Sequence, residues 1–506
     1  MRLILLLLTP LALLLTACPS GPAVPTNLSS SNESLLLHWG VDSLGVPYYQ
    51  LHLNDEPVIE SSPLGLVVGD TDLGHDMRIA SVSEAKAVTD DYTLLHGKRA
   101  AYHYAAKEIT VDFAPKEGLQ LSVIFRLADD GLAFRYRVMG ESTSEFVINS
   151  EQTTFDLPAD SRGWLHPHAV AQSGWEHTQP SYEENYEIDI PVGTPSTLGQ
   201  GWSFPALFKT KGAWILISET DMGRHYCGSH LGHESLEGAY RIAFPQAPER
   251  ITPDGALFPT GPLPLESPWR TLTVGADLGT IVESTHATDL ARPAPEQDVS
   301  YVEPGQASWS WVVLKDDSTI YPVQKRFIDY ASDMNWEYCL IDSHWDRQIG
   351  YDSIQALARY AQSKDVGILM WYSSNGHWNT APLPPRDLVF DPEIRRAEFA
   401  KLQEYGIRGL KIDFFGGDGQ SFMAYYQDLM EDAARYQLTV NFHGATIPRG
   451  WQRTYPNLMT MESVKGFEFI TFEQPNADRG PRHCAVLPFT RNVIGPMDFT
   501  PMCFGE

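Results

Sequence analysis

The stretch Gly409-Leu410-Lys411-Ile412-Asp413-Phe414-Phe415-Gly416-Gly417-Asp418 reads as a short apolar strand that ends on a carboxylate and runs into a glycine-rich turn. In a parallel barrel a carboxylate at the C-terminal tip of a strand points into the mouth of the active site. Asp418, beyond the two glycines, suits the capping of the next helix better than Asp413, which leaves Asp413 for chemistry. The same rhythm recurs on both sides of this stretch after Gln306. Trp309 to Leu314, Tyr338 to Ile341, Gly367 to Tyr372 and Leu438 to Phe442 read as strands, and Val323 to Ser332, Ser353 to Gln362, Pro392 to Glu404 and Phe422 to Ala434 as helices. Other strands also end in polar or aromatic tails, Asp342-Ser343-His344-Trp345 and Ser373-Ser374-Asn375-Gly376. Repeated βα units of this kind predict a (β/α)8 barrel over residues 306–506. A doubly wound sheet is the competitor, but no G-x-G-x-x-G or G-x-x-x-x-G-K-[ST] stands at a strand-to-helix turn.

Upstream the pattern changes. Residues 33–290 alternate apolar and polar in short runs broken by Gly, Pro, Asn and Asp, as in Leu35 to Trp39, Tyr48 to Leu53 and Ala213 to Ile217, and predict a β-sandwich domain. The proline-bearing segment 291–305 is the linker. Residues 1–18 read as a leucine-rich secretory leader ending in the lipobox Leu15-Thr16-Ala17-Cys18, with Cys18 the lipidated residue and 19–32 a polar tether. The expectation is an exported protein lipid-anchored to a bacterial membrane, periplasmic or on the outer-membrane face. The other four cysteines, Cys227, Cys339, Cys484 and Cys503, have no C-x-x-C spacing and signal neither a zinc site nor a redox motif.

Composition narrows the function classes. Over 506 residues, 37 Lys and Arg face 64 Asp and Glu, a net charge of −27 that repels phosphate backbones and argues against nucleic acid as partner. The 13 Trp, 22 Tyr and 22 Phe suit sugar-binding clefts as well as cores. Cleaving a glycosidic bond takes two carboxyl groups across the anomeric carbon, one ionised and one protonated. Asp413 and a Glu of Glu462-Ser463-Val464-Lys465-Gly466-Phe467-Glu468, which follows a sixth strand near Leu458 to Thr460, can supply them.

The chain resembles glycoside hydrolase family 97, the exported bacterial α-glucosidases and α-galactosidases. The resemblance rests on Tyr182-Glu183-x-x-Tyr186, Ser308-Trp309-Ser310-Trp311, Gly409-x-Lys411-Ile412-Asp413-Phe414, His443-Gly444-Ala445, Arg453-Thr454-Tyr455-Pro456-Asn457, Glu462-Ser463-Val464-Lys465-Gly466-x-Glu468 and Thr490 to Thr500. It implies a β-super-sandwich, a (β/α)8 barrel, a small C-terminal β domain and a Ca2+ ion in the site. By resemblance Glu468 is the general acid, and Glu183, Glu462 and Glu468 bind the calcium, with Glu184 or Glu187 open as alternatives to Glu183. Lys411 and His443 resemble substrate contacts, and Trp345, Trp371 and Asp342 are weaker candidates at strand tips. Trp309 and Trp311 are expected to alternate along the first strand, so that at most one faces the lumen.

Inverting members of the family resemble each other in base carboxylates after the third and fifth strands, where this chain has Asn375 and Gly444. Retaining members carry an Asp at the tip of the fourth strand, here Asp413. The resemblance therefore implies a retaining double displacement with Asp413 as nucleophile and Glu468 as acid/base, their carboxyls about 5–5.5 Å apart. The expected substrate is an oligosaccharide ending in α-linked galactose. The alternatives are an α-glucosidase acting on starch-type oligosaccharides and, in another class, a non-catalytic carbohydrate-binding lipoprotein or inactive fragment. Six strands are countable, a seventh is expected near Ala485 to Ile494, and the eighth strand and the C-terminal β domain are missing before Glu506. An open barrel has unpaired edges, so residues 19–506 alone are expected to be poorly stable or inactive.

Overall fold

A computed structural model describes residues 26–236 and 238–501. Cys18 and Cys503 lie outside the described residues. The β region opens with a four-stranded antiparallel sheet, Asn27–Ser29, Leu35–Val41, Pro47–Leu53 and Glu56–Pro63, in sequence order. Strict alternation along Pro47–Leu53 buries every second side chain. That face packs on a large antiparallel sheet, where Trp39 stacks on Phe125 at 6.1 Å and Tyr49 meets Phe134 at 5.1 Å. Two long strands of the large sheet, Gln120–Ala128 and Gly131–Glu151, are joined by the two-residue turn Asp129-Asp130. The sandwich expectation holds, with one correction at its start. Asn27–Ser29 pairs with Leu36 to His38, so the β domain begins inside the segment read as tether, because Leu28 alternates in phase with its neighbours and is buried.

After the coil at 291–306, six strands form one parallel sheet in sequence order: Ala307–Trp309, Tyr338–Ile341, Gly367–Ser373, Gly409–Asp413, Thr439–Phe442 and Leu458–Met461. Helices Tyr321–Asp333, Tyr351–Gln362, Pro392–Tyr405 and Gln420–Arg435 return the chain between them, giving an incomplete α/β barrel. The strands read as apolar runs because both faces are covered, and Gly409–Asp413 is buried at every position. The helix Pro392–Tyr405 shows how sequence sets the boundaries. Asp391 caps its first turn by accepting from Glu393 N and Ile394 N, Pro392 occupies the first position, and Gly406 closes it at φ 78°.

Two strand expectations change. The first strand stops at Trp309, and Trp311–Leu314 is a helical turn, so the two indoles stack at 5.4 Å instead of pointing to opposite faces. Residues 485–494 hold the end of the helix Gln474–Val486 and the short 3-10 turns Leu487–Phe489 and Arg491–Val493, not a strand; the sixth strand instead meets Met497 through a parallel bridge to Met461.

A buried chain of charges fastens the β domain to the barrel. Arg270 donates to Glu151 (2.9 and 2.5 Å) and to Glu219. Glu219 in turn accepts from Arg449 Nε (2.6 Å), Arg449 Nη2 reaches Asp418 (3.1 Å), and Asp418 accepts from the Tyr182 hydroxyl. All are buried. Burial pulls Arg449 down, but the Asp418 and Glu219 carboxylates outweigh it and hold its guanidinium above the usual range. Removing one member of such a chain leaves a buried charge unpaired. Arg449→Met is expected to cost about 3–5 kcal/mol in urea unfolding of the full-length protein; a loss below about 1 kcal/mol, as for surface pairs, would contradict this role.

Candidate active site

The fourth strand ends on Asp413, which is 9% exposed. Its Oδ2 accepts from Trp371 Nε1 at 3.1 Å and lies 3.9 Å from Lys411 Nζ, while Oδ1 accepts from the Phe414 amide at 2.9 Å. Phe414 has φ 68°, a left-handed turn that ends the strand at the carboxylate. Lys411, two residues earlier on the same face, is also 3.4 Å from Asp342 Oδ2 and lies 4.4 Å over the Trp309 ring. Burial pulls the Lys411 ammonium down, but Asp342, Asp413 and Glu468 more than reverse this and hold it above its ordinary value.

The second half of the site comes from three segments. Glu183 is brought in by the β-domain loop next to Tyr182, Glu462 follows the sixth strand, and Glu468 opens a short helical turn, Phe467–Thr471. One carboxylate oxygen from each lies within 4.8 Å of the others. Burial, then the charge of Glu468, pushes Glu183 up to about 8. Burial and the charges of Glu183, Glu468 and Asp413 push Glu462 well above the carboxylate range. Glu468 is raised as well, by burial first, against the lowering pull of Lys411 and His443. Glu462 Oε2 accepts from Gly444 N at 2.8 Å, whereas its Oε1 is buried with no hydrogen-bond partner among the described residues. Three convergent carboxylates that repel one another, with a bare buried oxygen among them, form the hard donor set that fits a calcium ion.

Of the three glutamates left open by sequence, only Glu183 joins this cluster. Glu184 faces Lys465 at 3.8 Å, and Glu187 begins the strand Glu187–Pro191 and faces Arg479 at 3.7 Å. His443 lies 3.4 Å from Glu462 Oε2 through Nδ1 and 2.8 Å from Asp498 Oδ2 through Nε2. Trp371 and Asp342 are drawn in as well. Trp345 is not: it is fully buried behind Trp371, donating to the Trp371 carbonyl at 2.9 Å and packing on Tyr351 and Tyr372. Asn375 is fully buried and donates to Asn379 O at 3.3 Å.

Sequence reasoning did not single out Asp498 or Arg491 for the site. Asp498 accepts from His443 and Asn441, and His443 with Asn441 holds its carboxyl well below the usual range despite burial. Arg491 donates to the carbonyls of Met461, Glu462, Gly495 and Pro496, tying the sixth strand to the turn that carries Asp498. The signal was Thr490 to Thr500, a motif dense in polar and turn residues.

Residues 28–293 match the family profile described as Glycosyl-hydrolase 97 N-terminal, and 305–464 the profile Glycoside hydrolase 97. The chain is 33% identical over 497 residues to a probable retaining α-galactosidase of Streptomyces bingchenggensis, covering 96% of this chain and 69% of that protein. It is 27% identical to a retaining α-galactosidase of Bacteroides thetaiotaomicron, over 75% of this chain and 59% of that protein. A crystal structure of a β-arabinopyranosidase superposes with a TM-score of 0.90 at 37% identity, covering 94% of this chain and 75% of that one. A family 97 enzyme of Pseudoalteromonas sp. strain K8, solved with panose, shares the fold at a TM-score of 0.79 and 22% identity, over 94% of this chain and 75% of that one.

Gly444 has φ 46°, and a Cβ there would stand 3.1 Å from Asp413 Oδ1 and 3.1 Å from the Phe414 amide. Any side chain at 444 therefore pushes on Asp413. Gly444→Ala is expected to lose about 1–2 kcal/mol of stability from the left-handed backbone and at least about tenfold in turnover from displacement of the carboxylate; unchanged turnover would contradict the contact.

Proposed function

Since the chain belongs to glycoside hydrolase family 97, and so to the glycoside hydrolases, we propose that it is a retaining exo-glycosidase releasing terminal α-linked galactose from oligosaccharides. The observation that carries this reading is the placement of Asp413 at a strand tip, held by Trp371 and the Phe414 amide and within electrostatic reach of Glu468, with Gly444 and Asn375 where inverting members carry bases. In the first step an Asp413 oxygen bonds to the anomeric carbon as the glycosidic C–O bond breaks, and the leaving oxygen takes the proton of Glu468. In the second, Glu468 takes a proton from water, whose oxygen bonds to the anomeric carbon, and the electron pair of the ester C–O bond returns to Asp413. Two inversions give net retention.

Trp371 and Lys411 hold Asp413 Oδ2 during attack. Lys411, Asp342, His443 and Asp498 supply polar partners for ring hydroxyls. Glu183, Glu462 and Glu468 would hold the calcium, which when bound relieves their mutual repulsion and offers a Lewis-acidic contact to a sugar hydroxyl. Chelation of the full-length protein is expected to lower its melting temperature and added calcium to restore it; an unchanged melt would contradict a calcium site.

A second glycone has support of its own in the likeness to a β-arabinopyranosidase at 37% identity. A β-L-arabinopyranoside has the ring stereochemistry of an α-D-galactopyranoside without the hydroxymethyl group on C5. Both readings therefore ask the same hydroxyls of the pocket and differ only in whether it accommodates that group. Assay of the full-length protein on nitrophenyl α-galactoside, β-L-arabinopyranoside and α-glucoside separates them. Turnover is expected on the first and none on the last. Asp413→Ala is expected to abolish hydrolysis and to form a glycosyl azide when azide is added; full activity in that variant would overturn the nucleophile assignment.

A further inference from the structure

Resting on the retaining-glycosidase reading, we propose that Trp175, backed by Phe414, is the platform of the leaving-group subsite and takes the C–H face of the sugar ring that departs. Trp371 donates to Asp413, Phe414 lies 5.8 Å from Trp371, and Trp175 lies 5.8 Å from Phe414. These three rings are in contact from the nucleophile outward, Trp371 buried, Phe414 half-buried and Trp175 exposed. At the inner end of this row Lys411, Asp342, His443 and Asp498 match a ring held by its hydroxyls. The outer end of the row, the exposed Trp175, offers an aromatic face, which matches the apolar C–H face of a second ring. Trp175 is 56% exposed, and it is the one exposed indole among the chain's 13. An exposed indole in ring contact with the residue that follows Asp413 is placed to bind rather than to fill the core.

The loop that presents Trp175 is built, not loose. Gln172, Glu176 and His177 all have positive φ (55°, 47° and 63°), a backbone that persists only when its surroundings enforce it. The enforcement is visible. Gln172 N donates to Gln179 O (2.9 Å), Thr178 Oγ1 to Trp175 O (2.8 Å), and Thr380 N, from the loop after the third barrel strand, to Glu176 O (2.9 Å). Five residues after Thr178 the same loop delivers Glu183 to the carboxylate cluster, so the platform and the acid cluster share one scaffold.

The test compares two substrates of whichever glycone the wild-type full-length protein turns over: a disaccharide, and the glycosyl fluoride, whose leaving group is a single atom. In Trp175→Ala, kcat/KM for the disaccharide is expected to fall at least about tenfold relative to that for the fluoride, mainly through KM, and Trp175→Phe is expected to recover most of it. An equal fall on both substrates, or no fall on either, overturns the proposal, with an unchanged melt reporting that the variant is folded. Wild-type protein that hydrolyses neither substrate overturns the glycosidase reading and this inference with it.

Discussion

Three carboxylates and two guanidiniums, Glu151, Arg270, Glu219, Arg449 and Asp418, run in alternating sign through the joint between the β domain and the barrel and end on the Tyr182 hydroxyl. Taken out of water, these charges gain nothing over apolar packing unless every partner is in position, so they specify one docking geometry rather than a general adhesion. Tyr182 is bonded to Glu183 in sequence and has φ 61°. Fixing its hydroxyl on a barrel aspartate therefore fixes the backbone from which Glu183 reaches Glu462 and Glu468. The active site is completed across a domain boundary, and the charge chain makes that boundary rigid.

The site itself works by separating charge. On one side Asp413 is surrounded by donors, the Trp371 indole, the Phe414 amide and the Lys411 ammonium. On the other, three carboxyls are crowded together with a bare oxygen between them and are pushed toward protonation or toward a cation. The neighbours of the two sides thus differ in kind, donors around Asp413 and fellow carboxyls around Glu468, as a nucleophile and an acid would need. His443 links the halves, with Glu462 at one ring nitrogen and Asp498 at the other.

The barrel strands were legible because a parallel strand buried on both faces reads as an unbroken apolar run, and Tyr338–Ile341 carries no competing signal. Trp309 to Leu314 was misread because Trp-Ser-Trp alternates like a strand, whereas the chain turns helical after Ser310 and the two indoles stack on each other. Asp413 stood out because it ends an apolar strand, whereas Glu462 and Glu468, which follow the sixth strand, took their roles from the family resemblance. Glu183 could only be narrowed to three glutamates, since the loop that selects it has non-glycine residues in left-handed conformations that no local pattern announces. Contacts such as Glu219 with Arg449, 230 residues apart, leave no trace in a single sequence. Trp345 has the composition of a sugar contact, but its rotamer turns it into the core.

The closeness of position 444 to Asp413 bears on how stereochemical outcome can change over evolutionary time. A side chain installed at 444 while Asp413 is in place pushes on the carboxylate proposed as nucleophile, and on that proposal loss of Asp413 before a base arrives leaves no nucleophile at all. Either order passes through a crippled intermediate, so the route between retaining and inverting descendants of this scaffold crosses a fitness valley. Lineages on the two sides are expected to stay apart even where the rest of the pocket drifts freely.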